Sequence, residues 1–337
     1  MKIALTGIKP TGNLHIGNYF GAIKPALELS KKYAARYFIA DYHALNSVKN
    51  PEELRRYILE VSAGWLAAGL NPETLLFYRQ SSVPETFELA TILAAFTPKG
   101  LMNRAHAYKA IVQTNIEKAE DPDAGVNMGL FTYPILMAAD ILLFDSDIVP
   151  VGRDQTQHVE MAADIAAAVN FNYKQDLLKI PQALVQESVA IVPGLDGRKM
   201  SKSYGNTIPL FVPEKQLRKL IMRITTNSQG VEEPKDPDSS QIFLLYKLFS
   251  SSEEQESLAA SYRAGGMGWG EAKEELFRVV NRELSPLRER FDSLIADPEK
   301  IEEILSSGAE KARVIAKNTI KRLQEAIGLN FKKSSRG

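Results

Sequence analysis

The sequence predicts an α/β protein, a doubly wound parallel sheet followed by a carboxyl-terminal α-helical domain. Three observations carry that prediction. Short apolar runs bounded by turn residues alternate with helix-patterned segments over the first half of the chain, as crossover helices between parallel strands require. A turn rich in glycine and proline, 7–12, follows the first of those runs and leads into a helix start. Beyond Thr207 the strand-like runs cease and only helical periodicity remains.

In chain order, 3–5 reads as the first strand and 17–32 as a helix. RYFIA, 36–40, is a buried strand. Pro51 opens a helix whose apolar residues recur at helical spacing and which ends near Gly69. TLLFY, 74–78, is a third strand, and 82–96 reads as helical after Pro84. A mixed polar segment holding Arg104, His106, Tyr108 and Lys109 then runs into a charged, turn-rich loop, 117–125. The pattern resumes with an apolar helix at 132–144, a strand at 147–151, a helix at 154–169 and a short strand at 189–192. GLDGRKMSKSYGN, 194–206, is a mobile polar loop. Helices are expected at 213–224, 241–249, 253–263, 270–295 with an interruption at Pro286, and 298–327. The organisation is therefore 1–206, a helical domain over 207–330, and a basic tail, 331–337.

Composition narrows the function classes. The 337 residues suit about two domains, on a prior of roughly 150 residues each. An apolar fraction of 45% is ample for a buried core. With 41 basic and 41 acidic residues, no bulk field draws the chain to DNA or a membrane, so any RNA contact must come from a local patch. The absence of cysteine excludes disulfides, thiolate chemistry and cysteine-ligated metal sites, and four scattered histidines argue against a histidine metal site. The first residues run straight into a strand, and no apolar run approaches the roughly 18 residues of a membrane span. A cytoplasmic protein is expected.

The opening turn is not a Walker loop. Gly7 and Gly12 have the right offset, but Asn13 stands where that motif needs lysine, and G-x-G-x-x-G is also absent. What remains is Pro10-x4-His15-Ile16-Gly17-Asn18 opening a helix behind a strand, where backbone N–H groups face an anion. His15 is suited to donate to a phosphoryl oxygen, Gly17 admits a ribose or base to the backbone, and Asn18 offers another donor. An ordinary polar helix cap has the same look. Late in the α/β half comes Lys199-Met200-Ser201-Lys202-Ser203, two lysines three apart with small hydroxyls between them. In a glycine-flanked loop this is a flexible cationic clamp, suited to a pyrophosphate that gains charge as it leaves. A solvated charged loop is the plainer explanation, but the two motifs in this order are far more specific than either.

With those residues the chain resembles the class I aminoacyl-tRNA synthetases, which carry H-I-G-H after the first strand of a Rossmann-like sheet and K-M-S-K-S after the last. The resemblance covers nearly the whole chain. TGIKPTGNLHIGNYFGA (6–22), ADYHAL (40–45) and GLFTYPILMAADILLFDSDIVPVGRDQTQH (129–158) resemble the bacterial tryptophanyl-tRNA synthetases in particular. The resemblance implies ATP- and Mg2+-dependent activation of L-tryptophan and its transfer to tRNA(Trp), by a homodimer whose interface includes about 80–130. Mg2+ would be held mainly by the ATP phosphates.

It also implies roles for individual residues. ATP contacts fall on Lys9, Pro10, Thr11, Gly17, Asn18, Gly152, Arg153, Asp154, Ile191 and Lys199 through Met200, Ser201 and Lys202 to Ser203. His15, Asn18, Lys199 and Lys202 would act in catalysis, with Lys109 reaching ATP phosphate. Tryptophan contacts fall on Leu5, Gly7, His43, Tyr133, Met137, Asp140, Val151 and Gln155. Indole has one polar atom, an N–H that only donates, so its site needs one buried acceptor among apolar walls. Asp140 is such an acceptor, and Tyr133 and Met137 share its helix face at spacings of four and three. Taken alone, Asp140 is equally a helix carboxylate paired with a nearby Arg or Lys, and His43, Tyr133 and Met137 are equally core residues.

The chain departs from the family at five points, the first being His15, where many members have threonine. Lys9 stands where glutamine is usual, Leu5 replaces a frequent phenylalanine, Tyr42 a glutamine and Arg153 a glutamate. Lys311, Arg313, Lys317, Lys321 and Arg322, with Lys332, Lys333 and Arg336 beyond, form a basic stripe for tRNA phosphates or a solvated face. The alternatives are a tyrosyl-tRNA synthetase, another nucleotidyltransferase such as a cofactor adenylyltransferase, and a non-enzymatic RNA-binding paralogue.

Overall fold

The computed structural model describes residues 1–185 and 192–330, and of Asp154 the backbone alone. Five strands, β1 (Ile3–Ile8), β2 (Ala34–Ile39), β3 (Leu76–Arg79), β4 (Ile148–Val151) and β5 (Gln182–Val185), form one sheet in the order β3-β2-β1-β4-β5. Every pairing is parallel. The order reverses between β1 and β4, and in open α/β sheets ligands bind beyond the strand carboxyl ends at such a switch point. β1 carries the register, aligned with β2 from Ile3↔Ala34 to Ile8↔Ile39.

The first helix is broken into pieces. An α turn Ile16–Asn18 passes into a π turn Tyr19–Ile23 and then an α-helix Lys24–Ser30. Pro25 has no N–H to give to the carbonyl four residues back, and the chain bonds Lys24 N to Tyr19 O instead. The π turn exposes Gly21 and Ala22 to the cavity described below.

Two elements of the α/β half differ from expectation. The polar segment around Lys109 contains two helices, Lys99–Met102 and His106–Glu117. The second buries Asn115 alone, so no apolar stripe marks it in the sequence. The fifth strand lies at Gln182–Val185, and the strand expected at 189–192 falls largely outside the described residues. β5 is an edge strand with no fully buried residue, which hides it from a search for apolar runs.

The helices after 206 do not stand apart from the sheet. One continuous apolar core joins Ile16, Tyr37 and Phe77 to Met200, Ile208, Leu217, Tyr246 and Leu276. The Trp269–Ile295 helix runs unbroken through Pro286. The Pro298–Ile327 helix lies along β3, so closely that a Cβ on Gly308 would sit 1.7 Å from the Phe77 carbonyl oxygen.

Candidate active site

A cavity of about 1030 Å³ opens at the β1/β4 switch point. Leu5 and Gly7 from β1 and Val149 and Val151 from β4 form its floor. Gly7 has no side chain there because Phe38 fills the space, and an added Cβ would meet the Phe38 ring at 2.7 Å. Tyr133, Met137 and Asp140 line one wall from the Met128–Leu142 helix, which Asn127 caps by accepting from Leu130 N. His43 and Gln155, expected at tryptophan, and Gly152 and Arg153, expected at ATP, also line it, and Lys9 and Lys199 add two cations.

Asp140 is 1% exposed. Its partners are neither Arg nor Lys. His43 Nε2 lies 2.9 Å from Oδ2, and Gln80 Nε2 donates to both oxygens at 2.8 and 2.9 Å. Burial raises its carboxyl, and the bonds from His43 and Gln80 oppose that rise. Gln80 is itself fully buried and turns its Oε1 to Tyr42 N at 3.2 Å. Beside it, Asp41 accepts from Tyr42 N and Ser81 N, each at 3.1 Å. Gln80 was not foreseen from the sequence. Its one signal was position, just past the end of β3 at the carboxyl edge of the sheet.

Tyr133 and Gln155 are tied together by a second unforeseen residue, His158. The Tyr133 hydroxyl bonds His158 Nε2, and His158 Nδ1 lies 2.9 Å from Gln155 Oε1. A neutral imidazole carrying its proton on Nδ1 satisfies both contacts, accepting from the phenol and donating to the amide. The relay fixes the two residues expected to hold the amino acid's charged groups.

His15, Gly17 and Asn18 do not line the cavity; Gly17 meets Met200 and His15 feels the charge of Lys202 in the Lys199–Ser203 loop instead. His15 Nδ1 accepts from Asn18 N at 3.3 Å while Asn18 Oδ1 accepts from His15 N at 3.1 Å, a reciprocal cap at the helix start. The imidazole proton is thereby left to Nε2. Burial, reinforced by the charge of Lys202, lowers the His15 pKa to about 4, so the ring is neutral at physiological pH. Gly17 N donates to Met200 Sδ at 3.4 Å, and Met200 packs into the core rather than facing the cavity. Backbone bonds join Ile16 N to Ile208 O and Leu210 N to Leu14 O. Lys202 Nζ donates to the Thr11 carbonyl, beside Gly12, whose φ of 77° a side chain would strain. Burial lowers the Lys202 ammonium.

Four implied residues are placed otherwise or lie beyond description. Lys109 is exposed on the His106–Glu117 helix, where Ala107 rather than Lys109 reaches the cavity. Pro10 is buried. Ile191 and the side chain of Asp154 lie outside the described residues. Of the basic stripe, Arg313 is paired with Glu85 and Arg322 with Asp145, leaving Lys311, Lys317 and Lys321 exposed. Lys332, Lys333 and Arg336 lie outside the described residues.

Comparison with known proteins bears directly on this geometry. The pattern of the tRNA synthetases class I (W and Y) matches residues 2–285. A tryptophan–tRNA ligase of Pseudomonas aeruginosa is 54% identical over 332 residues, 96% of this chain and 73% of that protein. One from Xanthomonas axonopodis pv. citri is 49% identical over 328 residues, 96% of this chain and 76% of that protein. The structure of tryptophanyl-tRNA synthetase from Campylobacter jejuni complexed with ADP and tryptophan superposes with a TM-score of 0.89 at 45% identity, covering 97% of this chain and 99% of that one. A tyrosyl-tRNA synthetase from Aeropyrum pernix, 18% identical with a TM-score of 0.63 over 91% of this chain and 89% of that one, shares the fold. By sequence over almost its whole length, and by a fold that sets an apolar cavity against two paired nucleotide motifs, the chain belongs to the class I aminoacyl-tRNA synthetases, in their bacterial tryptophanyl branch.

Proposed function

We propose that the cavity joins L-tryptophan to ATP, forming tryptophanyl-adenylate, and that the tryptophanyl group then passes to tRNA(Trp). The observation that carries this reading is Asp140, a buried acceptor in an apolar wall and the one acidic side chain among the described cavity-lining residues. An indole N–H can bond the lone pairs that Asp140 turns to the cavity, whereas a benzyl side chain offers them no donor.

The amino acid's carboxylate oxygen attacks the α-phosphorus, and the bond to the bridging oxygen breaks to release pyrophosphate. The attacking group is already ionised, so no general base is needed. Catalysis is then positioning and charge stabilisation. Tyr133 and Gln155 orient the amino acid. Lys9 and Lys199 offer cations inside the cavity, and Lys202 moves from the Thr11 carbonyl to the leaving pyrophosphate. Neutral His15 donates through Nε2–H. A terminal tRNA hydroxyl then attacks the carbonyl carbon and AMP leaves.

Mg2+ would neutralise phosphate charge. Its ligands would be mainly the ATP phosphate oxygens. Within the carboxyl-terminal stripe, Lys311, Lys317 and Lys321 are exposed and available to tRNA phosphates. Exposed Tyr42, Leu45, Ile116 and Met128 support a homodimer that covers this side of the molecule. No helix among the described residues is long and apolar enough to cross a membrane.

The test is ATP–pyrophosphate exchange with each of the twenty amino acids in turn. Exchange with tryptophan at least a hundredfold above tyrosine and phenylalanine is the expected result. Exchange driven best by tyrosine would move the assignment to the sister branch, and no exchange at all would leave an RNA-binding protein on a synthetase scaffold.

A further inference from the structure

Behind Asp140, on the side away from the cavity, lies a bracket that the reaction does not use directly. Gln80 is the first residue past β3, and it is fully buried. It does not line the cavity, so it acts on substrate only through Asp140. Its amide has two ends with opposite chemistry, and both ends are spoken for. A backbone N–H can only donate, so the Tyr42 N–H at 3.2 Å must face Oε1. That contact aims Nε2, a donor, at both Asp140 oxygens at 2.8 and 2.9 Å. His43 Nε2 reaches Oδ2 at 2.9 Å from the same Asp41–Ala44 turn that supplies the Tyr42 N–H. The turn and the β3 end are further stitched by Ser81 N to Asp41 Oδ1 at 3.1 Å.

We propose that Gln80 is a specificity-determining positioning residue, which holds Asp140 in place as an acceptor and thereby selects a side chain bearing a ring N–H. The proposal rests on the tryptophan reading above. An amide that donates to a carboxylate leaves that carboxylate nothing to present to the cavity but lone pairs. It also fixes the plane of the carboxylate on a helix whose side chain would otherwise rotate. Donors from two different strand ends hold it on two sides, and the remaining lone pairs face the cavity. A glutamine here therefore supplies what no charged residue would: it pairs Asp140 without neutralising it, and its own orientation is set by backbone. Tyr78, buried two residues before Gln80, gives no competing donor bond to Asp140 among the described contacts, and its phenol is pushed well above its ordinary range by burial.

The experiment compares two substrates of one shape, L-tryptophan and β-(3-benzothienyl)-L-alanine, in which sulfur replaces the ring N–H. Exchange kinetics are measured for the unaltered chain and for Gln80→Met. The unaltered chain should prefer tryptophan strongly. Gln80→Met should lower that preference by about tenfold or more, through a raised KM for tryptophan with the KM for ATP unchanged. A variant that merely loosened the core would weaken both amino acids alike. An unchanged preference, or KM values for tryptophan and ATP rising together, would overturn the proposal. If Gln80→Met does not fold, Gln80→Glu keeps the acceptor for Tyr42 and sets a second carboxyl against Asp140 in place of the neutral amide, and the same loss of preference is required of it. Failure of the unaltered chain to use tryptophan at all would instead count against the tryptophan assignment.

Discussion

His15 shows how one residue's environment fixes its role. Its ring is buried, caps a helix start through Nδ1 and lies near the Lys202 charge, all of which disfavour the imidazolium. The folded chain keeps it neutral down to about pH 4, whereas an unfolded chain takes up a proton near the ordinary value of 6.5. Between those values the unfolded state binds more protons, so stability is complete above pH 6.5 and falls as pH drops towards 4. A shift of this size corresponds to about 3 to 4 kcal/mol at most. His15→Gln should therefore flatten the fall in unfolding free energy over that window, as read by urea titrations at successive pH values. Parallel curves for the two proteins would show that His15 does not titrate as its surroundings dictate. The motif around His15 was legible in the sequence, because few other uses exist for it beside Lys199–Ser203. Its protonation was not, since that depends on Lys202, brought alongside only by folding.

The Lys199–Ser203 loop is the element on which nucleotide chemistry turns, and it is built around a residue outside its motif. Asn206 is buried; its Nδ2 donates to Asp196 Oδ1 at 2.6 Å and to Lys199 O at 3.2 Å, and its Oδ1 accepts from Ser201 N at 2.8 Å. Its own carbonyl accepts from Leu195 N at 2.9 Å. Gly194 is glycine because a Cβ there would lie 2.3 Å from Asn206 Nδ2. The amide so sets which way the loop presents its lysines. Asn206→Ala should raise the KM for ATP by about tenfold while leaving the KM for tryptophan near its starting value. Equal KM values for ATP in both proteins would place the loop's order elsewhere. Elements were legible in proportion to their apolar periodicity. The Gln241–Phe249 and Pro298–Ile327 helices were placed to the residue. The His106–Glu117 helix and β5 were missed because each lacks a fully apolar face. Asn206, Gln80 and His158 escaped for another reason. Polar residues that act by holding other residues carry no local signature, and Gln80 is 60 positions from the Asp140 it holds.

At the scale of the whole molecule, the last helix is what makes the sheet and the site one body. An exposed β3 would be an unpaired edge. The Pro298–Ile327 helix covers it, and Gly308 allows its backbone to rest against Phe77. Around that contact Arg79 pairs with Glu302 at 2.9 Å, Arg313 with Glu85 at 3.0 Å and Arg322 with Asp145 at 2.7 Å. Two arginines that read in the sequence as part of a tRNA-facing stripe are thus spent on fastening the helix. β3 runs from the helix contact at Phe77 straight to Gln80, so whatever lifts the helix also loosens the hold on Asp140. Gly308→Val would set side-chain atoms where the Phe77 carbonyl lies, and relief requires the helix to move outward as a unit. The expected cost is about 3 kcal/mol or more, seen as an earlier urea midpoint. Tryptophan affinity should weaken more than ATP affinity, because the Lys199–Ser203 loop is held by Gly17 N on Met200, and the segment after it by Leu14 and Ile16 through Leu210 and Ile208. An unchanged urea midpoint would mean that the helix does not bear on β3 as closely as Gly308 implies, and equal weakening for both substrates would break the link from β3 through Gln80 to the indole site.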